Sequence, residues 1–150
     1  MTPGLGVIVA VVAVALILII QRSLADGRAR TVPDTRETRL GTDDLGRPLG
    51  TAATFVQFSA PVCGPCVATR EVLATIAAER HGVQHVEISA AHRMDLVDRF
   101  AVTRTPTVLV LDPEGIPRQR LTGPTRAAEA LRALATVTGL DPARATHENR

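Results

Sequence analysis

The chain contains neither lysine nor tryptophan. All seventeen basic residues are arginine, a bias we attribute to the genome, and against fifteen acidic residues they leave a formal charge of +2. So small a charge, carried by arginines that are scattered and form no stripe, excludes the electrostatic footprint of a nucleic-acid binder. Only two cysteines are present. Basic residues are also missing from the N-terminus, where Met1-Thr2-Pro3 offers nothing that would serve as the positive lead of a cleaved signal peptide.

Behind that uncharged lead comes a single apolar run, Gly4 to Ile20, seventeen residues without a polar side chain. Its length is at the short end of the range that spans a bilayer as a helix. Ser23-Leu24-Ala25 has the small residues of a cleavage site, but the long apolar core favours an uncleaved anchor. No arginine precedes the run, whereas Arg22, Arg28, Arg30, Arg36 and Arg39 come after it. Cytoplasmic flanks carry the excess of basic residues, so the expectation is a single-pass protein of the cell membrane with its N-terminus outside and its folded part in the cytoplasm. An extracytoplasmic domain is the alternative.

Four segments are expected: an anchor over residues 1–21, a flexible tether over 22–48, a packed α/β domain over 49–139 and a polar tail over 140–150. With the anchor set aside, the remaining length suffices for one ordinary core. The tether is rich in Arg, Asp, Thr, Gly and Pro, with room for one short strand near its end. Thr54 to Phe58 is β-branched and aromatic and reads as a strand. Gly64 to Arg80 is alanine-rich, with Val67, Val72, Leu73 and Ile76 at helical spacing, and Gly82 is expected to close that helix. Val83 to Ile88 is a second strand, parallel to the first through a right-handed crossover. A short amphipathic helix then runs through Leu96, Val97 and Phe100. The apolar run from Pro106 to Leu111 predicts a strand covered on both faces. After the turn Asp112-Pro113-Glu114-Gly115, Ile116 to Leu121 reads as an exposed antiparallel edge strand. A last helix over Thr125 to Val137 ends at Gly139. The expected architecture is a small mixed sheet with helices on both faces.

The cysteines stand two residues apart in Cys63-Gly64-Pro65-Cys66, at the junction of the first strand and its helix. A cysteine at a helix start faces unpaired backbone N–H groups that stabilise a thiolate and make it a nucleophile. In that reading Cys63 attacks and Cys66, one turn further and more enclosed, resolves. Gly64 and Pro65 suit the first helical turn, where a missing N–H costs nothing. An inert staple across so short a loop would constrain the unfolded chain little. Cys63, Cys66, His81 and His85 also match the spacing C-x2-C-x14-H-x3-H of a zinc site. If residues 64–80 form one helix, however, a rise of about 1.5 Å per residue sets His81 roughly 22 Å from Cys66. Ligands must lie about 2.0–2.3 Å from zinc, so geometry opposes a metal. His92 and His147 have no partners at recognisable spacing.

With CGPC between strand and helix and Thr105-Pro106 opening a later buried strand, residues 51–139 resemble the thioredoxin superfamily. The resemblance implies a thioredoxin-like fold, a redox-active dithiol at Cys63 and Cys66, and no cofactor. It also implies that Pro106 is a cis-proline which, with Thr105, receives substrate backbone, and that Gly123 flanks the substrate groove. Partners implied are proteins with disulfides and a thiol electron donor, such as a thioredoxin reductase or a transmembrane thiol carrier. The anchor and tether look similar to those of thioredoxin-like reductases of cytochrome c maturation and of disulfide handling outside the bacterial membrane, whereas the arginine asymmetry points to the cytoplasmic side.

Departures from the family pattern matter equally. Val62 replaces the family's tryptophan before CGPC, Gln57 its buried aspartate, and Glu71 the proline that kinks its long helix. An amide is no base near neutral pH. Glu87, on the neighbouring strand, is the candidate to supply a carboxylate in its place. Two functions are therefore expected to compete: a membrane-tethered protein-disulfide reductase, and a non-catalytic thioredoxin-fold adaptor with a vestigial dithiol.

Overall fold

The computed structural model describes residues 3–25, 30–31 and 39–139. The polar tail, including His147, and residues 26–29 and 32–38 of the expected tether lie outside the described residues. The elements in chain order are α1 (Pro3–Ala25), β1 (Arg30–Thr31), α2 (Thr42–Leu45), β2 (Ala53–Ser59), α3 (Gly64–Glu79), β3 (Val83–Ser89), α4 (Met94–Arg99), β4 (Thr107–Leu111), β5 (Pro117–Thr122) and α5 (Ala127–Thr138). Side chains of α1 are described from Val7 to Gln21, and Val7 to Ile20 are exposed. Among the described residues, no helix is long and apolar enough to cross a membrane.

The strands form one mixed sheet in the order β1-β5-β4-β2-β3. β2 and β3 run parallel through the α3 crossover, and the other neighbours are antiparallel. Because β2 and β4 are central, every one of their residues is buried, and the two-residue period divides them between two cores. Phe55, Val108, Val110 and Leu121 face Leu73 and Ile76 of α3 and Ala130, Ala133 and Leu134 of α5. Val56, Phe58, Val86, Ile88, Leu109 and Leu111 face the opposite way, onto Leu96 and Phe100. Helices thus cover both faces.

Three expectations change. The tether does not extend to residue 48: Leu40 is fully buried and Leu45 nearly so, both in the second core. Residues 39–45 are stitched down by the Leu40 N–H to the Gly115 carbonyl (2.9 Å), by Arg39 to the Glu114 carbonyl, and by Arg93, the N-cap of α4, and Arg99 at its end, which donate to the carbonyls of Asp44 and Arg39. Gly115, at φ 84°, makes this approach feasible, since a Cβ there would sit 2.1 Å from the Leu40 carbonyl oxygen. Secondly, β5 is not an exposed edge along its length. Pro117, Gln119 and Leu121 are buried, and β1 pairs outside it, Arg30 against Arg120 and Thr31 against Gln119. Thirdly, α3 ends at Glu79 with Arg80 already extended. Gly82, at φ 76°, shapes the following turn, where its carbonyl accepts the Ala52 and Ala53 N–H groups. Gly139, at φ 72°, does cap α5.

Candidate functional site

Cys63 is the N-cap of α3, in extended conformation, with Pro65 in the first turn. Cys66, 1% exposed, lies one turn further in and is joined to Cys63 in a disulfide with a Cα–Cα distance of 5.3 Å. Its N–H donates to the Cys63 carbonyl at 3.1 Å. The pair is therefore asymmetric: Cys63 is partly open to solvent, Cys66 enclosed. Val62, at 99% exposure, stands beside it as an uncovered apolar side chain. α3 runs unbroken through Glu71 and carries the chain away to His81, so Cys66 and His81 sit at opposite ends of the helix, while His85 returns along β3.

The remaining sequence-nominated residues meet at the same end of the sheet. Thr107 pairs with Phe58 near the end of β2 and with Thr122 at the end of β5, which brings the β4 entrance beside the segment leading to Cys63. The Thr105–Pro106 peptide bond is cis, and the buried Pro106 accepts at its carbonyl the N–H of Gly123 at 2.8 Å. Gly123 has φ 89°. Thr125 N–H donates to Thr69 Oγ1 at 3.2 Å, tying that loop to α3.

Sequence reasoning missed the role of Gln57. It is fully buried, and its side-chain amide donates from Nε2 to the Cys66 carbonyl (2.9 Å) and to Ser59 Oγ (2.9 Å), while Oε1 faces His85 Nε2 at 3.2 Å. Glu87 lies opposite Gln57 in the parallel register but is engaged elsewhere, held by Arg70 of α3 at 2.7 and 3.0 Å. His85, one pleat earlier on the same face, is the β3 residue that touches Gln57. Burial pushes the Glu87 carboxyl up, but hydrogen bonds from Arg70 and Ser59 and the charges of Arg70 and His85 outweigh it and hold the group below its ordinary range. It is a surface carboxylate fixed in its ionised state. Ser59, Ala60, Pro61, Arg70, Glu87 and Ser89 line a shallow polar depression beside the disulfide.

Burial lowers the His85 pKa, Glu87 opposes that fall, and Arg70 and Arg47 add to it. In the unfolded chain the imidazole takes up a proton near 6.5; in the fold it resists until lower pH. Below about pH 6.5 the unfolded state then binds more protons, so the His85 contribution to stability is constant above that point and declines as the pH falls toward the folded value. The Glu87 contribution has a separate window, being lost only below about pH 4.3. Thermal unfolding between about pH 5 and pH 7.5 is expected to show a descending acid limb that His85→Gln flattens. A limb unchanged in that variant would assign it to other groups.

A family model described as thioredoxin matches residues 50–136. No curated protein matches the chain. Among solved structures, a chloroplastic thioredoxin z is 24% identical, with a TM-score of 0.54 over 59% of this chain and 80% of that one. Mitochondrial thioredoxin 3 from Saccharomyces cerevisiae is 19% identical, with a TM-score of 0.51 over 57% and 79%. A thioredoxin from Nicotiana alata is 25% identical, with a TM-score of 0.51 over 58% and 74%.

Proposed function

Because the chain belongs to the thioredoxin family, we propose that it is a membrane-tethered thiol-disulfide oxidoreductase that reduces protein disulfides through Cys63 and Cys66. A thioredoxin fold bearing a cysteine pair at this spacing supports thiol–disulfide redox chemistry in general. The observation that carries the finer reading is the asymmetry of the pair: Cys63 caps α3, where helix N–H groups favour a thiolate, and Cys66 is enclosed behind it. Thr105, Pro106 and Gly123 receive the substrate backbone beside the pair. No cofactor is needed, since thiolate exchange moves the electrons. A thiol donor, either a soluble reductase or a membrane thiol carrier, returns the disulfide to the dithiol.

Attachment to the membrane rests on the sequence. The apolar run from Gly4 to Ile20, without a charge in front of it and with arginines behind it, favours an anchor over residues 1–21 and a domain on the cytoplasmic side.

The test is the full chain carrying Cys66→Ser, expressed in intact cells. Disulfide-linked adducts on Cys63 that collapse on reduction are the expected result. Their absence, with Cys63 reacting no faster than an ordinary cysteine, would favour the non-catalytic adaptor instead. The same cells treated with a membrane-impermeant thiol reagent report the side: protection of Cys63 until lysis is expected, and labelling before lysis would place the domain outside.

A further inference from the structure

The Gln57 amide can be oriented by counting its hydrogen-bonding groups. An amide has two N–H donors and one carbonyl, and the Cys66 carbonyl can only accept. Nε2 must therefore face Cys66, its second proton goes to Ser59 Oγ, and Oε1 is left toward His85. A buried carbonyl oxygen needs a donor, and His85 supplies it from Nε2–H, which fixes the tautomer. Rotating the amide would set oxygen against oxygen at Cys66. The groups around His85 are Glu87 on its own strand, Arg70 from α3 and Arg47 from the loop after α2.

Resting on the reductase reading above, we propose that His85 and Gln57 are a positioning pair for the resolving step, pinning the first turn of α3 through the Cys66 carbonyl so that the Cys66 sulfur stays in line with Cys63. In the first step the Cys63 thiolate bonds to one sulfur of the substrate disulfide, whose S–S bond breaks, and the other sulfur leaves with the electron pair and takes a proton from solvent. In the second step Cys66, having lost its proton to solvent, bonds to Cys63 Sγ. The bond between Cys63 and the substrate breaks, and its electron pair departs on the second substrate sulfur, which is protonated. The dithiol is oxidised by two electrons and the substrate reduced by two. Only the second step requires Cys66 to be placed, and its rate falls steeply with small misplacement. Cys63, held by its own cap geometry, attacks the substrate without help from His85.

The experiment uses the reduced full chain in detergent and limiting dithiobis(nitrobenzoate), an aromatic disulfide whose thiolate product is coloured. Attack by Cys63 releases one coloured thiolate and resolution by Cys66 the second, so the two steps are read separately. His85→Leu is expected to slow the second release roughly tenfold, about the worth of one buried hydrogen bond, and to leave the first within about twofold. His85→Gln, which keeps a donor at that position, should recover most of the lost rate. Thermal unfolding of each variant verifies that it is folded, and Gln57→Met provides a second probe if His85→Leu is not. Equal slowing of both releases, or no slowing of the second in a folded variant, would overturn the proposal while leaving the reductase reading intact. If the wild-type chain releases neither thiolate, the reductase reading fails and the positioning role fails with it.

Discussion

Cys63→Ser is expected to abolish disulfide reduction by the full chain, a loss of roughly a thousandfold or more, because a hydroxyl at that position is protonated near neutral pH and cannot attack sulfur. The geometry makes Cys63 irreplaceable by its neighbour. Cys66 is 1% exposed, and its carbonyl is held by Gln57, so a substrate disulfide has no approach to it. Cys66→Ser is expected to behave differently: one attack succeeds, the product stays attached and turnover stops. The measurement is turnover of a protein disulfide alongside a count of adducts per chain. Equal residual turnover in the two variants would show that the cysteines do not have separate roles.

Leu40→Ala is expected to be strongly destabilising. Leu40 is fully buried among Phe58, Leu96, Phe100 and Leu111, yet it lies in a stretch whose composition reads as linker. Truncating a leucine at such a site costs about 3 kcal/mol, within a range of roughly 2–5. For a domain of about this size that lowers the melting temperature by roughly 10–20 °C. Circular dichroism of the full chain during heating would measure it. A change under about 0.5 kcal/mol is typical of a solvent-exposed linker leucine, and it would mean that residues 39–45 do not belong to the packed unit.

The two predictions differ in how far the sequence anticipates them. The dithiol is legible because a strand, a CGPC turn and a helix are local patterns, each written in adjacent residues. Pro106 stands out for the same reason, at the mouth of an uninterrupted apolar run. Leu40 does not, because its burial depends on partners from β2, β4 and α4 that only the folded sheet assembles. β1 has no side-chain signature at all: its two residues join the sheet through backbone hydrogen bonds. The Gln57 arrangement is half legible. That an amide replaces a carboxylate is plain from the residue, but which β3 side chain touches it is not. Register sets Glu87 opposite, and the outcome depends on Arg70 capturing Glu87 while the His85 ring crosses one pleat to Gln57. Likewise Gly82 sits where a helix stop is expected, and only the backbone angles of Arg80 reveal that the helix has already ended.

If α1 is the anchor proposed above, the pairing of β1 with β5 sets the length of leash available to the domain. Between Ala25, where α1 ends, and Arg30, already fixed to the sheet, there are five residue steps, which reach at most about 18 Å however they are arranged. With α1 as the proposed anchor, a domain so held behaves as a surface-confined catalyst that patrols a thin shell. Its substrates must bring their disulfides within that shell, which favours membrane proteins and membrane-docked clients over freely diffusing ones. Lengthening the chain between α1 and β1 would widen the shell without altering a single atom of the reactive site.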